Sequence, residues 1–280
     1  MVSIRHTASY ELNIVRESVD AHFAQLCLDE LLRPGMKVVI KPNLLMKRTP
    51  EEGTTTHPSL VEAVVRKLQS LGVTDITIAD SPGGVYSKPL LTGIYRVTGM
   101  EDIARRLGVR LNEDVGSTYV PNPNGAVCTG FDLINPIVEA DFVISIAKLK
   151  THCMAGLSGA IKNLFGCVPG LTKPEFHWRY PEEKDFCNML VDLCETVKPD
   201  ITFVDAVISM EGDGPSSGSL RKTGMTVCST SPYELDLVLS KIIHRPPEQI
   251  YTIVNAARRG LCTLSPDDVE VRGDSLLEYA

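Results

Sequence analysis

Short runs of apolar, mostly β-branched residues alternate along the chain with longer stretches whose apolar positions recur at helical spacing. Buried strands are predicted at 36–40, 75–79, 109–111, 142–146, 201–204 and 225–228. Helices are predicted at 14–32, 58–72, 98–107, 160–165 and 185–197, and another is predicted to begin near residue 232. This alternation predicts an α/β fold in which a mostly parallel sheet carries helices on both faces.

The other segments have weaker patterns. Residues 112–135 are rich in turn residues and are predicted to be mainly loop, and the tail from Pro246 onward is less regular. The run at 225–228 is expected to be the last strand of the sheet. The polar and aromatic segment 173–184 contains the only tryptophan, Trp178, and is predicted to form a flexible lid.

Charged residues follow the apolar runs of four predicted strands: Lys41, Asp80, Lys148 and Asp205. Parallel strands bring their carboxyl ends to one edge of a sheet, and ligands of open α/β sheets bind outside that edge. The sequence therefore predicts a site at the carboxyl edge of the strands.

The segment Asp141–Gly170 has the densest set of candidate residues, because a predicted strand leads through lysines, a histidine and two glycines into a helix. Lysines bind carboxylate or phosphate, and a helix N-terminus also favours negative charge. This pattern predicts a site for an anionic small molecule. The predicted binding residues are Lys41, Asn43, Thr56, Ser81, Lys148, Lys150, Thr151, Lys162, Asn163 and Glu211. The spacing of Gly156, Gly159 and Lys162 does not match a nucleotide-binding P-loop.

Candidates for proton transfer are His57 and His152, since histidine titrates near neutral pH. Asp80 and Asp205 are predicted to orient the site, which gives a catalytic set of four residues. Alternatively, Asp80, Asp205 and His152 hold a divalent metal ion, although their spacing matches no metal motif. A purely structural role for each histidine stays open.

Composition excludes several classes of function. The chain has 280 residues and a net charge of −7, so it lacks the basic balance of a general nucleic-acid binder. No apolar run approaches the ~18 residues of a membrane span, and no signal peptide is evident, so a cytoplasmic location is predicted. The eight cysteines form no C-x-x-C pair, which fits neither a zinc ribbon nor an iron–sulphur motif.

Seven motifs together resemble the family called domain of unknown function 362. They are KPNLL at 41–45, TTTHP at 54–58, ADSPGG at 79–84, KLKTH at 148–152, GAIKNLFG at 159–166, FVDAVISMEGDGP at 203–215 and SPYELD at 231–236. The resemblance covers about 37–239 and implies one α/β domain over 1–280.

Members of this family often carry a ferredoxin-like module with two four-cysteine motifs, and no such motif occurs before Ala280. The ending GDSLLEYA therefore suggests a truncated chain, with an iron–sulphur module following residue 280 or a ferredoxin-like electron donor acting in trans. The resemblance implies an iron–sulphur-associated redox role, and with the anion site predicted from the strand ends it gives a redox enzyme domain that binds an anionic small molecule. The alternatives are a non-catalytic module that binds an anionic metabolite or cofactor, and a metal-assisted hydrolase or lyase.

These hypotheses differ in the arrangement that they require. An enzyme needs titratable histidines within reach of the bound molecule. If His57, His152 and Lys162 line one pocket, the enzyme hypothesis is strengthened, and if they lie apart it is weakened.

Overall fold

The computed structural model describes residues 1–275. Residues 276–280 lie outside the described part. Most of the ending GDSLLEYA, which suggested a truncated chain, therefore also lies outside it. Within the described residues, nine strands form one sheet: β1 Val2–His6, β2 Lys37–Pro42, β3 Asp75–Ile78, β4 Arg110–Leu111, β7 Phe142–His152, β8 Gly156–Ser158, β9 Ile201–Glu211, β10 Ser219–Ser229 and β11 Val271–Gly273. A separate hairpin consists of β5 Ser117–Pro121 and β6 Gly130–Ile134.

Helices connect most of these strands. They are α1 Leu12–Leu26, α2 Pro58–Ser70, α3 Lys88–Val97, α4 Met100–Leu107, α5 Asn135–Val138, α6 Ala160–Asn163, α7 Lys173–Arg179, α8 Glu183–Val197, α9 Pro232–Ile242 and α10 Tyr251–Arg258. Over residues 1–275, no helix has both the length and the apolar character that crossing a bilayer requires.

The strand order is β11-β1-β10-β9-β7-β2-β3-β4, and β8 pairs with the end of β7. Strands β9, β7, β2, β3 and β4 are parallel to one another, whereas β10 is antiparallel to both β9 and β1. The predicted α/β fold with a mostly parallel sheet is therefore confirmed.

Helices cover both faces of the sheet because successive strand residues point to opposite sides. In β2, Val38 and Ile40 pack in an apolar cluster with α1 and α2. Val39 lies in the cluster on the other face, together with Ile161 of α6 and Leu190 of α8. The β-branched residues that predicted buried strands thus supply the core on both sides.

Two strands continue well beyond the points where the sequence predicted their ends. Strands β7 and β9 were expected to stop before Lys148 and Asp205, yet each has 11 residues and contains its charged residue. Lys148 and Asp205 are paired in register across the two strands, so each charge has an opposite charge beside it. A register shift between Lys148 and Lys150 then redirects the end of β7.

Other differences concern elements with weak patterns. Strand β1, helix α3 and strand β11 were not predicted, and the hairpin β5–β6 lies inside the segment predicted as loop. The run at 225–228 is not the last strand, since β10 lies between β9 and β1. The predicted helix at 14–32 ends at Leu26, and Cys27 follows with a left-handed backbone, φ 54°.

Candidate functional site

The carboxyl ends of β2, β3 and β7 border a cavity of about 330 Å³. Helix α6 and the following turn form one wall, and the segment from Gly170 to His177 forms another. Its polar lining consists of Lys41, Asn43, Asp80, Ser81, His152, Lys162, Asn163, Lys173 and His177. A smaller pocket of about 40 Å³ shares several of these residues and adds Lys148 and Lys150.

Lys41 is buried at the end of β2 and its charge is neutralised locally. Its Nζ lies 2.7 Å from Oδ1 of Asp80, and it donates to the Pro42 carbonyl at 3.0 Å and to Oδ1 of Asn163 at 3.2 Å. The other Asp80 oxygen accepts from the Leu44 amide. Gly166 packs directly on this pair, since a Cβ at Gly166 would lie 2.1 Å from Oδ1 of Asp80. The pair therefore forms a fixed floor for the cavity.

Lys148 has an equally complete set of partners. Its Nζ donates to Oδ2 of Asp205 at 3.0 Å and to the Tyr10 hydroxyl at 2.7 Å. Asp205 also accepts from the Tyr10 hydroxyl and from the His57 amide. Burial lowers the pKa of Lys148 and the Asp205 carboxylate opposes that effect. All four groups are held by one another, which is typical of a structural network.

Lys150 and Lys173 bind protein oxygens but have no carboxylate partner within the described chain. Lys150 donates to Oδ1 of Asn43 at 2.8 Å and to the Thr54 carbonyl at 2.7 Å. Lys173 donates to the carbonyls of Ser81 and Pro82. Burial, reinforced by neighbouring ammonium groups, lowers the pKa of each lysine to about 7. For Lys173, the Asp80 carboxylate partly offsets that lowering.

Lys162 differs from these lysines. Over residues 1–275 its Nζ has neither a hydrogen-bond acceptor nor an ion-pair partner. It lies 4.6 Å from the ring centre of Phe165 and 5.9 Å from that of Phe186. Burial lowers the pKa of Lys162 to about 8, and the positive charge of Lys41 adds to the lowering. An ammonium group that faces a cavity with only ring contacts is available for a ligand.

His152 is fixed as a neutral donor. Its Nδ1 accepts from the amides of Met154 and Ala155 at 3.1 and 3.2 Å, so the ring proton is on Nε2. Burial, together with the charges of Lys162 and Lys150, lowers the pKa of His152 to about 3. A histidine held in this way donates a hydrogen bond but is a poor proton acceptor near neutral pH.

The N-terminus of α6 is already occupied by protein. The Asp236 carboxylate accepts from the amides of Ala160 and Ile161 at 2.6 and 3.0 Å. Gly159 permits this approach, because a Cβ there would lie 2.0 Å from Oδ1 of Asp236. Burial raises the pKa of Asp236 to about 7, and the two amides oppose the rise. The sequence predicted that this helix end would favour an anion, and the anion is Asp236 itself.

Comparisons with known proteins identify the family to which the sequence motifs belong. A family model described as "Domain of unknown function (DUF362)" matches residues 38–241. The chain belongs to the DUF362 family. A thylakoid-associated protein from Synechocystis sp. is 29% identical over 262 residues, which are 93% of this chain and 79% of that protein.

Among solved structures, the lactate racemase apoprotein from Thermoanaerobacterium thermosaccharolyticum superposes with a TM-score of 0.50 and 15% identity. The superposition covers 84% of this chain and 55% of the racemase chain. This chain therefore spans about half the length of that structure. At this identity the likeness concerns the fold alone.

The predicted site residues of this DUF362 domain separate into two groups. Those that line the main cavity or the adjoining pocket are Lys41, Asn43, Asp80, Ser81, Lys148, Lys150, His152, Lys162 and Asn163. Thr56, Thr151, Glu211, His57 and Asp205 line neither. Thr56 is buried and donates to the Ile146 carbonyl, while Thr151 donates to the Gly212 carbonyl and Glu211 pairs with Arg221 on the surface.

His57 lies apart from His152 and Lys162. It lines a different cavity of about 280 Å³, where its ring stacks on Tyr10 with centres 3.6 Å apart. Its Nδ1 accepts from the Ser59 amide, and burial lowers the pKa of His57 to about 4. Among the described residues, His57, His152 and Lys162 therefore do not line one pocket, and the enzyme hypothesis is weakened.

The three candidate metal ligands are not assembled either. Throughout residues 1–275, no group of three or more His, Cys, Asp or Glu side chains is arranged to hold a metal ion. Asp80 and Asp205 each bind a lysine instead. The described residues thus fit neither a resident metal ion nor an iron–sulphur cluster.

Lys173 and Phe165 were not among the predicted binding residues. Phe165 lies in a motif that the sequence did single out, but no binding role was predicted for it. Lys173 begins the segment predicted as a flexible lid, and the first part of that segment forms helix α7, in which Trp178 is 83% exposed. A lysine at the start of an amphipathic segment next to a glycine turn was the available signal.

Proposed function

We propose that this DUF362 domain binds an anionic small molecule in the cavity beside β2, β3 and α6. The observation that carries the proposal is the Lys162 ammonium group, which faces the cavity without a protein partner in the described chain. Lys162 is partly buried, and a cation that has lost part of its hydration is normally paired, because removing a charge from water without compensation is costly. A bound carboxylate or phosphate would supply the missing partner.

The charge balance of the cavity supports an anion. Lys41 is matched by Asp80, whereas Lys150, Lys162 and Lys173 have no carboxylate partner among residues 1–275. The lining therefore carries surplus positive charge at and below neutral pH. A negatively charged ligand would raise the lowered pKa values of these lysines towards their usual range.

Neutral donors in the same lining would orient the ligand. The Nε2–H of His152 has no partner within residues 1–275, and the buried hydroxyl of Ser81 also lacks one. Ser81 is 1% exposed, so a bound molecule would satisfy a polar atom that is otherwise orphaned. The volume of about 330 Å³ lies at the lower end of the range for small-molecule sites.

The experiment compares anion binding by the wild type, Lys162→Met and Lys88→Met. Sulfate and malonate serve as probes, and isothermal titration calorimetry and the shift of the thermal midpoint report binding. Lys88 is an exposed lysine paired with Glu113, so its variant controls for nonspecific charge effects. Binding to the wild type and Lys88→Met that is weakened in Lys162→Met is expected. Equal binding by all three proteins would contradict the proposal.

The redox role stays a proposal that rests on the family resemblance. We infer that any iron–sulphur cluster is supplied by a module beyond residue 280 or by a ferredoxin-like partner, because the described residues fit no cluster. The full-length gene product, purified without oxygen, should then show iron and visible absorption of a cluster, either alone or with its partner. A full-length protein without iron that no ferredoxin reduces would contradict the redox role and leave the proposed anion site untouched.

A metal-assisted hydrolase is supported least, since the candidate ligands are separated in the described residues. A cytoplasmic location without a membrane partner is still a prediction. The Synechocystis relative is described as thylakoid-associated, so cell fractionation of this protein is the direct check.

A further inference from the structure

The lysine nitrogens around the cavity differ in what they bind. Lys41 and Lys148 are paired with carboxylates, and Lys150 and Lys173 donate to carbonyl or amide oxygens. Each of those four nitrogens is held by fixed acceptors. Lys162 alone among these five has no hydrogen-bond acceptor or ion-pair partner within the described chain, and its nitrogen lies near two aromatic rings. Its nitrogen is therefore free to approach an atom of a bound molecule.

The surroundings of Lys162 give it a larger fraction of neutral amine than an exposed lysine would have. The rings of Phe165 and Phe186 exclude water from one side, and Lys41 adds positive charge nearby. The thiols of Cys187 and Cys153 lie within electrostatic range and act in the opposite direction. A neutral amine carries the lone pair that a nucleophile needs, and desolvation beside another cation is an established way of producing one.

We infer that Lys162 is a nucleophile that forms an imine with an aldehyde or ketone carbonyl of the anionic molecule held in this cavity. The inference rests on the proposed function, because it concerns the same cavity and the same class of ligand. It narrows that class to anions that carry a carbonyl group, such as 2-oxo acids or phosphorylated aldehydes.

The chemistry balances without any further reagent. The amine nitrogen attacks the carbonyl carbon, forming a C–N bond, while the carbonyl oxygen takes up a proton that the nitrogen releases. The resulting hydroxyl group then leaves as water with the second nitrogen proton, and a C=N bond remains. One water is released for each imine, and nothing is oxidised or reduced. The Nε2–H of His152 is the neutral donor in this cavity that suits the carbonyl oxygen.

The other lysines are worse candidates for this reaction. Freeing the nitrogen of Lys41 or Lys148 would leave a buried carboxylate without its cation, which is strongly unfavourable. Lys150 and Lys173 would each have to give up two hydrogen bonds to protein oxygens. We expect Lys150 and Lys173 to bind the anionic group of the ligand through their positive charge.

The test uses pyridoxal 5′-phosphate as an anionic aldehyde and pyridoxine 5′-phosphate as its analogue without a carbonyl group. The full chain is mixed with an equimolar amount of the aldehyde, reduced with sodium borohydride and mapped by peptide mass spectrometry. Calorimetry measures the binding of the analogue. Lys162→Arg keeps the charge and removes the nucleophilic amine, and Lys88→Met serves as the control.

The expected result is an adduct on Lys162 at least about tenfold more abundant than on Lys88, lost in Lys162→Arg and kept in Lys88→Met. If the analogue binds but Lys162 of the wild type carries no adduct, the imine is overturned and the anion site stands. Labelling spread equally over surface lysines also overturns it. If neither compound binds, the proposed function fails as well. The mapping on the wild type decides the matter even if Lys162→Arg does not fold.

Discussion

Lysine side chains around the main cavity and the adjoining pocket have different roles, and their contacts distinguish those roles. Lys41 and Lys148 stabilise the fold through carboxylates, whereas Lys162 has no such partner among residues 1–275. The sequence placed Lys41 and Lys148 after predicted strands and Lys162 in a predicted apolar helix, and it grouped all three as binding residues. The distinction comes from Asp80 and Asp205, which lie beside the first two lysines in space but far from them along the chain.

Anion binding should depend on pH in a range that is unusual for lysine. Burial lowers the pKa of Lys150 and Lys173 to about 7 and that of Lys162 to about 8. Affinity for sulfate is therefore expected to be highest below about pH 7 and to fall as the pH rises towards 9, by up to about tenfold per pH unit for each lysine that must be protonated. Sulfate keeps its own charge throughout this range.

Calorimetry in buffers of different ionisation enthalpy would measure this dependence. Proton uptake on binding near pH 8 is expected, because the anion raises the pKa of the lysines. His152 does not contribute, since burial lowers its pKa to about 3. Affinity that stays constant up to about pH 10 would contradict the assignment of these lysines to the site.

At the scale of secondary-structure elements, the pairing of β7 with β9 encloses one buried ion pair. Lys148 and Asp205 lie opposite each other in register, and Tyr10 and the His57 amide complete the network. Removing one partner leaves the other charge uncompensated in the core. The network also fixes the strand extensions that were not predicted from the sequence.

Lys148→Met is expected to destabilise the protein by about 3–5 kcal/mol, the usual cost of leaving a buried charge unpaired. Urea denaturation at pH 7 measures this change. The double variant Lys148→Met with Asp205→Leu removes both charges and is expected to recover part of the loss. A loss below about 1 kcal/mol in the single variant would mean that the pair contributes little.

The junction of β8 and α6 depends on a different contact. Gly159→Ala would place a methyl group 2.0 Å from Oδ1 of Asp236 and displace the carboxylate from the Ala160 and Ile161 amides. We expect a loss of about 1–3 kcal/mol in the free energy of unfolding. Gly83→Ala is the matched control, since a Cβ there meets nothing within 4 Å. Equal stability of the two variants would contradict this role of Asp236.

For the whole molecule, the apolar pattern was sufficient to predict the parallel strands of the sheet and the edge where the cavity opens. The β-branched runs of β2, β3 and β7 predicted the strands that border it, and Lys41 and Lys162 both line that cavity. The sequence pattern could not show that β7 and β9 continue past their charges, because that depends on a pairing across the sheet. For the same reason His57 was grouped with His152, although Asp205 and Tyr10 hold it in another cavity.

The unpaired ammonium group of Lys162 should lower the free energy of unfolding of the whole protein. Its pKa is lowered in the folded state to about 8, so the unfolded state binds more protons between about pH 8 and 10.5. The stability contributed by this group therefore rises with pH across that window and is lowest below it. Lys162→Met should stabilise the protein at pH 7 by on the order of 1–3 kcal/mol, with a smaller gain at pH 9.5.

Urea denaturation of Lys162→Met and Lys148→Met under identical conditions provides the comparison. The same substitution is expected to have opposite signs at the two lysines, a gain at 162 and a loss at 148. If Lys162→Met destabilises the protein as strongly as Lys148→Met, then Lys162 is part of the structural framework.

The contact between Gly159 and Asp236 also has an evolutionary consequence. The two residues belong to motifs far apart in the sequence, GAIKNLFG and SPYELD. The Asp236 carboxylate fits only where residue 159 has no side chain. A lineage that acquires a side chain at 159 must lose or shorten the acid at 236, and a lineage that loses the acid no longer needs the glycine. Across relatives the two positions should therefore be inherited together, and a family tree would show them changing as a pair.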